Sequence, residues 1–221
     1  MSSTTAKSAN ETTQPHNIDH IVYAVSELEG GIDAIESLLG VRAVIGGRHP
    51  DFGTHNALLS LGPETYLEII APCPDLPVPD RGLPFGMKLG QRSRIATWAM
   101  RSEAINEVAT SATAAGIRIG PIQPGSRRQP DGSLLSWALS DPNAMLFDGA
   151  LPFLISWGRT PHPASAAPRA GDLMAFQIEH PDPNSLRAAL SVLNVAVDVQ
   201  ESKTIRLVAR IRTSSGIVNI V

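Results

Sequence analysis

The sequence predicts an α+β protein made of three tandem modules, each in the order strand–helix–strand–strand–strand. Three observations lead to this prediction. Residues that start helices recur at positions 26, 102 and 182. Residues that stop helices recur at positions 40, 116 and 194, so the period is 76 to 80 residues. The first two modules also share an Arg-x-Pro-Asp motif, at residues 48–53 and 128–132.

The first module begins with an apolar strand over Asn17–Val25, "NIDHIVYAV". Ser26 and Glu29 have the spacing of a capping box, which satisfies the free N–H groups at a helix start. Gly40 can take the left-handed conformation that ends a helix. Between these ends one helical face carries Leu28, Ile32, Ile35 and Leu39. The three strands that follow are predicted at 41–47, 55–62 and 65–71.

The second and third modules repeat this order. Ser102 caps and Gly116 ends the second helix, and its strands are predicted at 117–123, 133–140 and 151–158. Asp182 caps the third helix, with Pro183 at the first helical position, where its missing N–H costs nothing. Asn194 ends that helix, and its strands are predicted at 195–201, 204–212 and 216–221.

The predicted domain organisation follows from these repeats. Residues 1–16 are polar and rich in Ser and Thr, without the apolar core of a secretory signal, and predict a disordered tail. Residues 17–160 contain modules one and two as a pair. Residues 161–171, "PHPASAAPRAG", are rich in Pro and Ala and predict a linker. The third module then occupies residues 172–221.

Composition excludes several classes of function. The chain has 221 residues, 43% hydrophobic and 18% charged, with a net charge of −3. The chain has no excess of basic residues, so its charge does not indicate a nucleic-acid or membrane partner. No apolar run approaches the ~18 residues that a membrane span needs. The single cysteine, Cys73, forms no internal disulfide, which favours a cytoplasmic location. Phosphate-loop and Gly-x-Ser-x-Gly motifs are absent from the sequence.

Two motifs of the first module resemble the vicinal oxygen chelate superfamily: "DHIVYAV" in its first strand and "YLEIIAP" in its fourth. "GTHNALLSLG", "LPFLISWG" and "PHPA" resemble its glyoxalase-like domains. The resemblance covers most of residues 17–221. It implies that two modules pair and that their sheets curl into a cupped half-barrel of the glyoxalase/bleomycin-resistance type. In that superfamily the cup holds a divalent metal, ligated from the first and fourth strands, and the metal chelates two neighbouring substrate oxygens.

The resemblance places His20 and Glu68 at the ligand positions of the first module. Strand alternation puts each on one face of its strand, and a buried unpaired carboxylate costs several kcal/mol that a cation would relieve. An imidazole with a carboxylate suits Zn²⁺, Mn²⁺ or Fe²⁺. His55 is the expected third ligand, and Glu68 and His55 are the expected acid/base groups.

The second module departs from that pattern. Its first strand offers Ile95 or Ala96 where a second histidine is expected, and its fourth offers Leu154 or Ile155 where a second acid is expected. Two protein ligands hold a metal poorly. Because of this departure, functions that need no metal remain possible.

Aromatic residues are the candidates for a substrate pocket. Trp98, Trp137 and Trp157 all fall in strands of the second module, where they are either core residues or the wall of an apolar pocket. His162, between two prolines of the linker, is either a linker residue or a contact from a lid over the substrate.

Arginines flank equivalent loops in the first two modules. Arg48, with Arg127 and Arg128, is expected either to bind a substrate carboxylate or phosphate or to be a solvated loop charge. His49 follows two glycines and is expected in a mobile, solvated loop.

The predicted function is a glyoxalase-like, divalent-metal-dependent lyase or isomerase that acts on a small oxygenated organic substrate. Two alternatives remain: a metal-free small-molecule binding protein of the drug-sequestering type, and a metal-free acid/base enzyme of the same fold. Dimers are common in the superfamily, so a homodimer is expected.

Overall fold

A single eight-stranded sheet contains the first two modules. The computed structural model describes residues 17–128, 132 and 134–221. The predicted tail and residues 129–131 of the shared motif lie outside this range. Within the described residues, no helix is long and apolar enough to cross a membrane.

Each of the first two modules has the predicted element order. Module one comprises β1 (Ile18–Ala24), α1 (Leu28–Leu39), β2 (Val44–His49), β3 (Thr54–Ser60) and β4 (Tyr66–Pro72). Module two comprises β5 (Arg94–Arg101), α2 (Ile105–Ala114), β6 (Gln123–Arg128), β7 (Leu134–Leu139) and β8 (Phe153–Ser156).

The strand order of this sheet is β2-β3-β4-β1-β5-β8-β7-β6. In each module the first strand pairs in parallel with the fourth, and the antiparallel pair β1–β5 joins the modules. The sheet curls until its two edges meet, where the Arg127 guanidinium of β6 donates to the Gly46 carbonyl of β2. The nearly closed, curved sheet confirms the predicted α+β cup, and both pairing modules belong to one chain.

The third segment repeats the element order but not the pairing. It comprises β9 (Asp172–His180), α3 (Pro183–Val192), β10 (Asp198–Glu201), β11 (Arg206–Thr213) and β12 (Gly216–Ile220). Its four strands form a separate sheet in the order β10-β9-β11-β12, where β9 pairs in parallel with β10 rather than with β12. The third segment therefore has the predicted strand–helix–strand–strand–strand order, but its strands do not pair as they do in modules one and two. Caps and stops mark where helices begin and end, and they do not encode which strands pair.

The helix ends agree with the sequence at some positions only. Gly40 has φ 76° and ends α1, and Asp182 caps α3 by accepting from the Ser185 N–H. Glu27, not Ser26, caps α1, because its carboxylate reaches the N–H groups of the first turn. No side chain caps α2, which starts after Ala104 rather than at Ser102.

The two faces of the large sheet have different roles. The outer face packs against the helices, where the predicted stripe Leu28, Ile32, Ile35 and Leu39 is buried. The inner face lines the cup.

The predicted linker crosses the rim of this cup as an ordered strap, defined here as residues 161–171. The Ser60 N–H donates to the Pro168 carbonyl at 2.8 Å, and the Ala170 N–H donates to the Ser60 carbonyl at 2.9 Å. These two bonds fix the strap along β3 and bring Pro163 into the wall of the cup.

Candidate active site

A cavity of about 50 Å³ lies inside the curled sheet. Its polar lining comes mainly from module one and its apolar lining mainly from module two. Module one contributes His20, His49, Asn56, Tyr66 and Glu68. Module two contributes Trp137, Leu139, Phe153, Ile155 and Trp157, together with one cation, Arg127.

A β-bulge in β1 prepares this site. The pairing of β1 with β5 shifts between Ile18 and His20, so Asp19 is the extra residue. Ile18 and Ile21 both belong to the helix-side core, which the strict two-residue alternation of a strand would not allow. The bulge redirects the Asp19 side chain, which lies against His20 although the two residues are adjacent in the chain.

The orientation of the His20 ring follows from its neighbours. His20 Nδ1 lies 2.7 Å from Asp19 Oδ1, and His20 Nε2 lies 3.6 Å from Glu68 Oε2. An ionised Asp19 only accepts hydrogen bonds, so Nδ1 carries a proton. In neutral His20, Nε2 then presents its lone pair toward the Glu68 carboxylate. Because both atoms are then hydrogen-bond acceptors, a favourable contact between them requires a proton on one of them or a donor group of a ligand between them.

Glu68 is fixed by a second strand. The side-chain amide of Asn56 on β3 donates to Glu68 Oε1 at 2.6 Å. Asn56 is buried, and its Oδ1 has no hydrogen-bond partner among the described residues. This bond leaves Glu68 Oε2 directed toward His20.

Asp19 is the most connected carboxylate of the site. Besides His20, its Oδ2 accepts from Trp157 Nε1 at 2.9 Å and from His162 Nε2 at 3.1 Å. His162 Nδ1 accepts from the Ala164 N–H, so the proton of that ring is on Nε2. Burial alone raises the pKa of Asp19, but the hydrogen bonds and charges of His162 and His20 outweigh it and hold the pKa well below its usual range.

Two further rings complete the polar side of the cavity. Tyr66 stacks on His20 with ring centroids 4.5 Å apart, and burial raises its pKa well above the ordinary value. His49 lies 3.0 Å from the Thr54 hydroxyl through Nδ1. Burial lowers the pKa of His49 to about 4, and the charge of Arg127 opposes protonation further. His49 is therefore neutral near pH 7.

The structure brings His20 and Glu68 together but separates His55 and Arg48 from them. On β3, Thr54 and Asn56 line the cavity, so His55 points to the opposite face. Arg48 neighbours it across the β2–β3 pair and binds Asp75 at 2.7 Å in solvent. The expectations that His55 is a metal ligand or catalytic residue and that Arg48 binds substrate are therefore wrong, because strand alternation directs both outward.

The three tryptophans divide into two groups. Trp98 is fully buried in the core, where it donates to the Ala150 carbonyl and packs 5.3 Å from the Phe176 ring, so its expected place in a pocket is wrong. Trp137 and Trp157 line the cavity with ring centroids 5.8 Å apart. His162 lies behind Trp157, bound to Asp19, and contacts the wall rather than the cavity itself.

Sequence reasoning missed Asp19, placed His49 in a solvated loop, and left Arg127 open between a ligand contact and a solvated charge. His49 belongs to a regular strand and is buried, not solvated in a loop. Arg127 is buried while its neighbour Arg128 is exposed, a difference that follows from alternation once the strand is placed. Asp19 directly precedes His20 in "DHIVYAV", and only the bulge gives it the same direction as the histidine.

A divalent metal fits these side chains poorly. Among residues 17–128, 132 and 134–221, no three His, Cys, Asp or Glu side chains lie close enough to bind one ion. His20 and Glu68 offer two donors, whereas protein zinc sites use three or four. The Arg127 guanidinium lines the same cavity, and its charge opposes a cation. The donor set therefore favours chemistry by side chains alone.

Known proteins that resemble the chain are consistent with this architecture. A hypothetical protein from Staphylococcus aureus has a TM-score of 0.66 at 11% identity, over 91% of this chain and 97% of that chain, which shows the fold alone. A methylmalonyl-CoA epimerase from Mycobacterium tuberculosis has a TM-score of 0.42 at 21% identity, over 66% of this chain and 91% of that chain.

A second methylmalonyl-CoA epimerase, solved with methylmalonyl-CoA and NH4+, has a TM-score of 0.43 at 18% identity, over 66% of this chain and 98% of that chain. No curated protein matches the chain. A sequence profile described as "Glyoxalase-like domain" matches residues 18–193, which is most of the chain. The chain therefore belongs to the glyoxalase-like domain family.

Proposed function

We propose that the protein is a metal-independent isomerase or lyase that moves a proton next to a carbonyl group of a small oxygenated substrate. One observation carries this proposal. His20 Nε2 and Glu68 Oε2 face each other across 3.6 Å in a cavity, while a buried carboxylate holds the opposite side of the imidazole. We refer to His20 and Glu68 as the dyad.

The roles of the residues follow from their hydrogen bonds. Asp19 keeps the Nδ1 proton of His20 in place, so Nε2 is the atom that takes a proton from the substrate. Glu68 accepts or returns a proton through Oε2, the oxygen that Asn56 does not use. Catalysis by such a pair is worth about 10²- to 10⁴-fold in rate.

The cavity wall supports a small substrate with an apolar side. Trp137, Phe153 and Trp157 line the cavity beside the dyad. Apolar walls with a few fixed polar groups are typical of small-molecule sites, and they strengthen the charge interactions inside by excluding water.

The test uses proton exchange, which is observed on the substrate itself whatever product forms. A panel of small 2-oxo and 2-hydroxy acids, amides and aldehydes is incubated with the protein in D₂O, and loss of the α-proton signal is followed by NMR. We expect exchange with at least one compound, strong loss in His20→Ala and Glu68→Gln, and unchanged rates after dialysis against EDTA. Ile155→Val, in the apolar wall, is the matched control.

Two outcomes contradict the proposal in different ways. Exchange that survives both dyad substitutions removes the catalytic role of His20 and Glu68. Exchange that is lost with EDTA and restored by Zn²⁺, Mn²⁺ or Fe²⁺ supports the metal-dependent lyase or isomerase instead, with the dyad as ligands.

A metal-free binding protein is the second candidate. The paired rings of Trp137 and Trp157 favour it, because such a wall binds a planar apolar molecule without any chemistry. Quenching of tryptophan fluorescence by aromatic compounds, with no exchange for any compound of the panel, would support this function. Sedimentation of the purified protein tests the expected homodimer.

A further inference from the structure

One cation in the cavity, Arg127, has no ionic partner among the residues that the structure describes. Arg127 on β6 is buried and lines the cavity, while the next residue, Arg128, is exposed and donates to the Gly132 carbonyl. Among the described residues, no carboxylate lies within salt-bridge distance of Arg127. Burial lowers the pKa of the Arg127 guanidinium, with the charges of Tyr66 and Glu68 opposing that effect. A buried charge without a partner costs free energy that an incoming anion recovers.

The opposite edge of the sheet is shaped to receive this side chain. The Arg127 guanidinium donates to the Gly46 carbonyl through one nitrogen. A Cβ on Gly46 would lie 2.2 Å from Asn56 Oδ1, and one on Gly47 would lie 3.1 Å from the guanidinium. The two glycines before Arg48 therefore let Arg127 and Asn56 each approach the backbone of β2 closely. This placement leaves other N–H groups of the guanidinium without a protein acceptor in the part of the chain that the structure describes.

The unpartnered donors determine the chemistry of the ligand. A planar guanidinium matches a carboxylate by two parallel hydrogen bonds. Glu68 lies in the same cavity and repels a doubly charged phosphate more than a singly charged carboxylate.

We propose that Arg127 binds the carboxylate of the substrate, so that the substrates are small organic acids with an oxygenated carbon presented to the dyad. This inference deepens the proposed function and rests on it for the reaction. Binding is measured without turnover, so a failure of carboxylate binding by Arg127 can be distinguished from a failure of the proposed reaction.

The test compares acids with their neutral amides. Lactate and lactamide, and mandelate and mandelamide, are titrated into the full chain by calorimetry, with inorganic phosphate as a second anion. We expect each acid to bind at least about tenfold more tightly than its amide, since hydrogen bonds to charged groups are the strong ones. Phosphate should bind more weakly than the acids.

Matched arginine variants locate the effect. Arg127→Gln should reduce acid binding to the level of the amide, Arg127→Lys should retain part of it, and the exposed Arg128→Gln should leave it unchanged. Circular dichroism and unchanged amide binding establish that the variants are folded. Equal binding of acid and amide, no acid binding at millimolar concentration, tighter binding of phosphate, or equal losses in the Arg127 and Arg128 variants would each overturn the proposal.

Discussion

Modules one and two share one topology but contribute opposite chemistry to one cavity. The inner positions of β1 and β4 carry His20 and Glu68, whereas the inner positions of β8 carry Phe153 and Ile155. Among the residues that the structure describes, module two adds one charge to the cavity, Arg127 from its edge strand. The comparison teaches that two modules with the same backbone pairing can divide the lining of one cavity, so that one supplies ionisable groups and the other an apolar wall.

The largest effect is expected from substitutions of the dyad in module one. Glu68→Gln should lower the rate of proton exchange by about 10²- to 10⁴-fold with little change in folding, because glutamine can still accept from Asn56. His20→Gln combined with Glu68→Gln should lose little more than the single variant, because the two groups act as one unit. NMR exchange rates measure both. Fully additive losses would show that His20 and Glu68 act independently.

The next effect concerns Asp19 of module one, whose carboxylate accepts a hydrogen bond from Trp157 of module two. Asp19→Asn should lower the free energy of unfolding at pH 7 by about 3–5 kcal/mol, the usual cost of breaking a buried ionic network. The pKa of Asp19 is lowered by folding from 3.8, so its contribution is full above about pH 4 and declines as the pH falls below that. Urea titrations of both proteins between pH 7 and pH 3 should show a constant difference down to about pH 4 and a narrowing difference from there to pH 3. A difference that stays constant down to pH 3 would argue against an ionised Asp19.

His49 is an ionisable residue of module one that burial keeps neutral, and its effect on stability should depend on pH. Its pKa falls from 6.5 to about 4 on folding, so the unfolded chain binds a proton first as the pH drops. The associated loss of stability is up to about 3 kcal/mol between pH 6.5 and pH 4, with no further loss from this group below pH 4. Urea unfolding at pH 7, 5 and 4 should show this slope in the native sequence and a smaller one in His49→Gln. Equal slopes would place the histidine in solvent.

The smallest effect separates two tryptophans of module two. Trp137→Leu should raise KM by about fivefold, roughly 1 kcal/mol, with kcat unchanged, because the ring contacts substrate only as a wall. Trp98→Leu should lower the melting temperature and leave KM unchanged, because its ring lies in the core. Steady-state kinetics with thermal denaturation test the pair. A KM change in Trp98→Leu would contradict the assigned positions.

The sequence predicted much of the first two modules and less of the site. The element order, the end of α1 at Gly40 and the shared direction of His20 and Glu68 follow from local patterns that the structure confirms. The same reasoning failed for His55, because its position at the start of β3 does not show which face of the strand its side chain takes. One residue of register reverses the face of every side chain in a strand.

The sequence by itself determined the α+β class, the period of the helices, and the first and fourth strands of module one as those that carry an imidazole and a carboxylate. Helix caps and apolar periodicity depend on residues close together in the chain, so they can be recognised from the sequence. Only the tertiary structure decided that β9 pairs with β10, that a bulge turns Asp19 toward His20, and that the sheet closes far enough to bury Arg127. These features depend on contacts between residues far apart in the sequence or on backbone irregularities, and neither leaves a periodic pattern in the sequence.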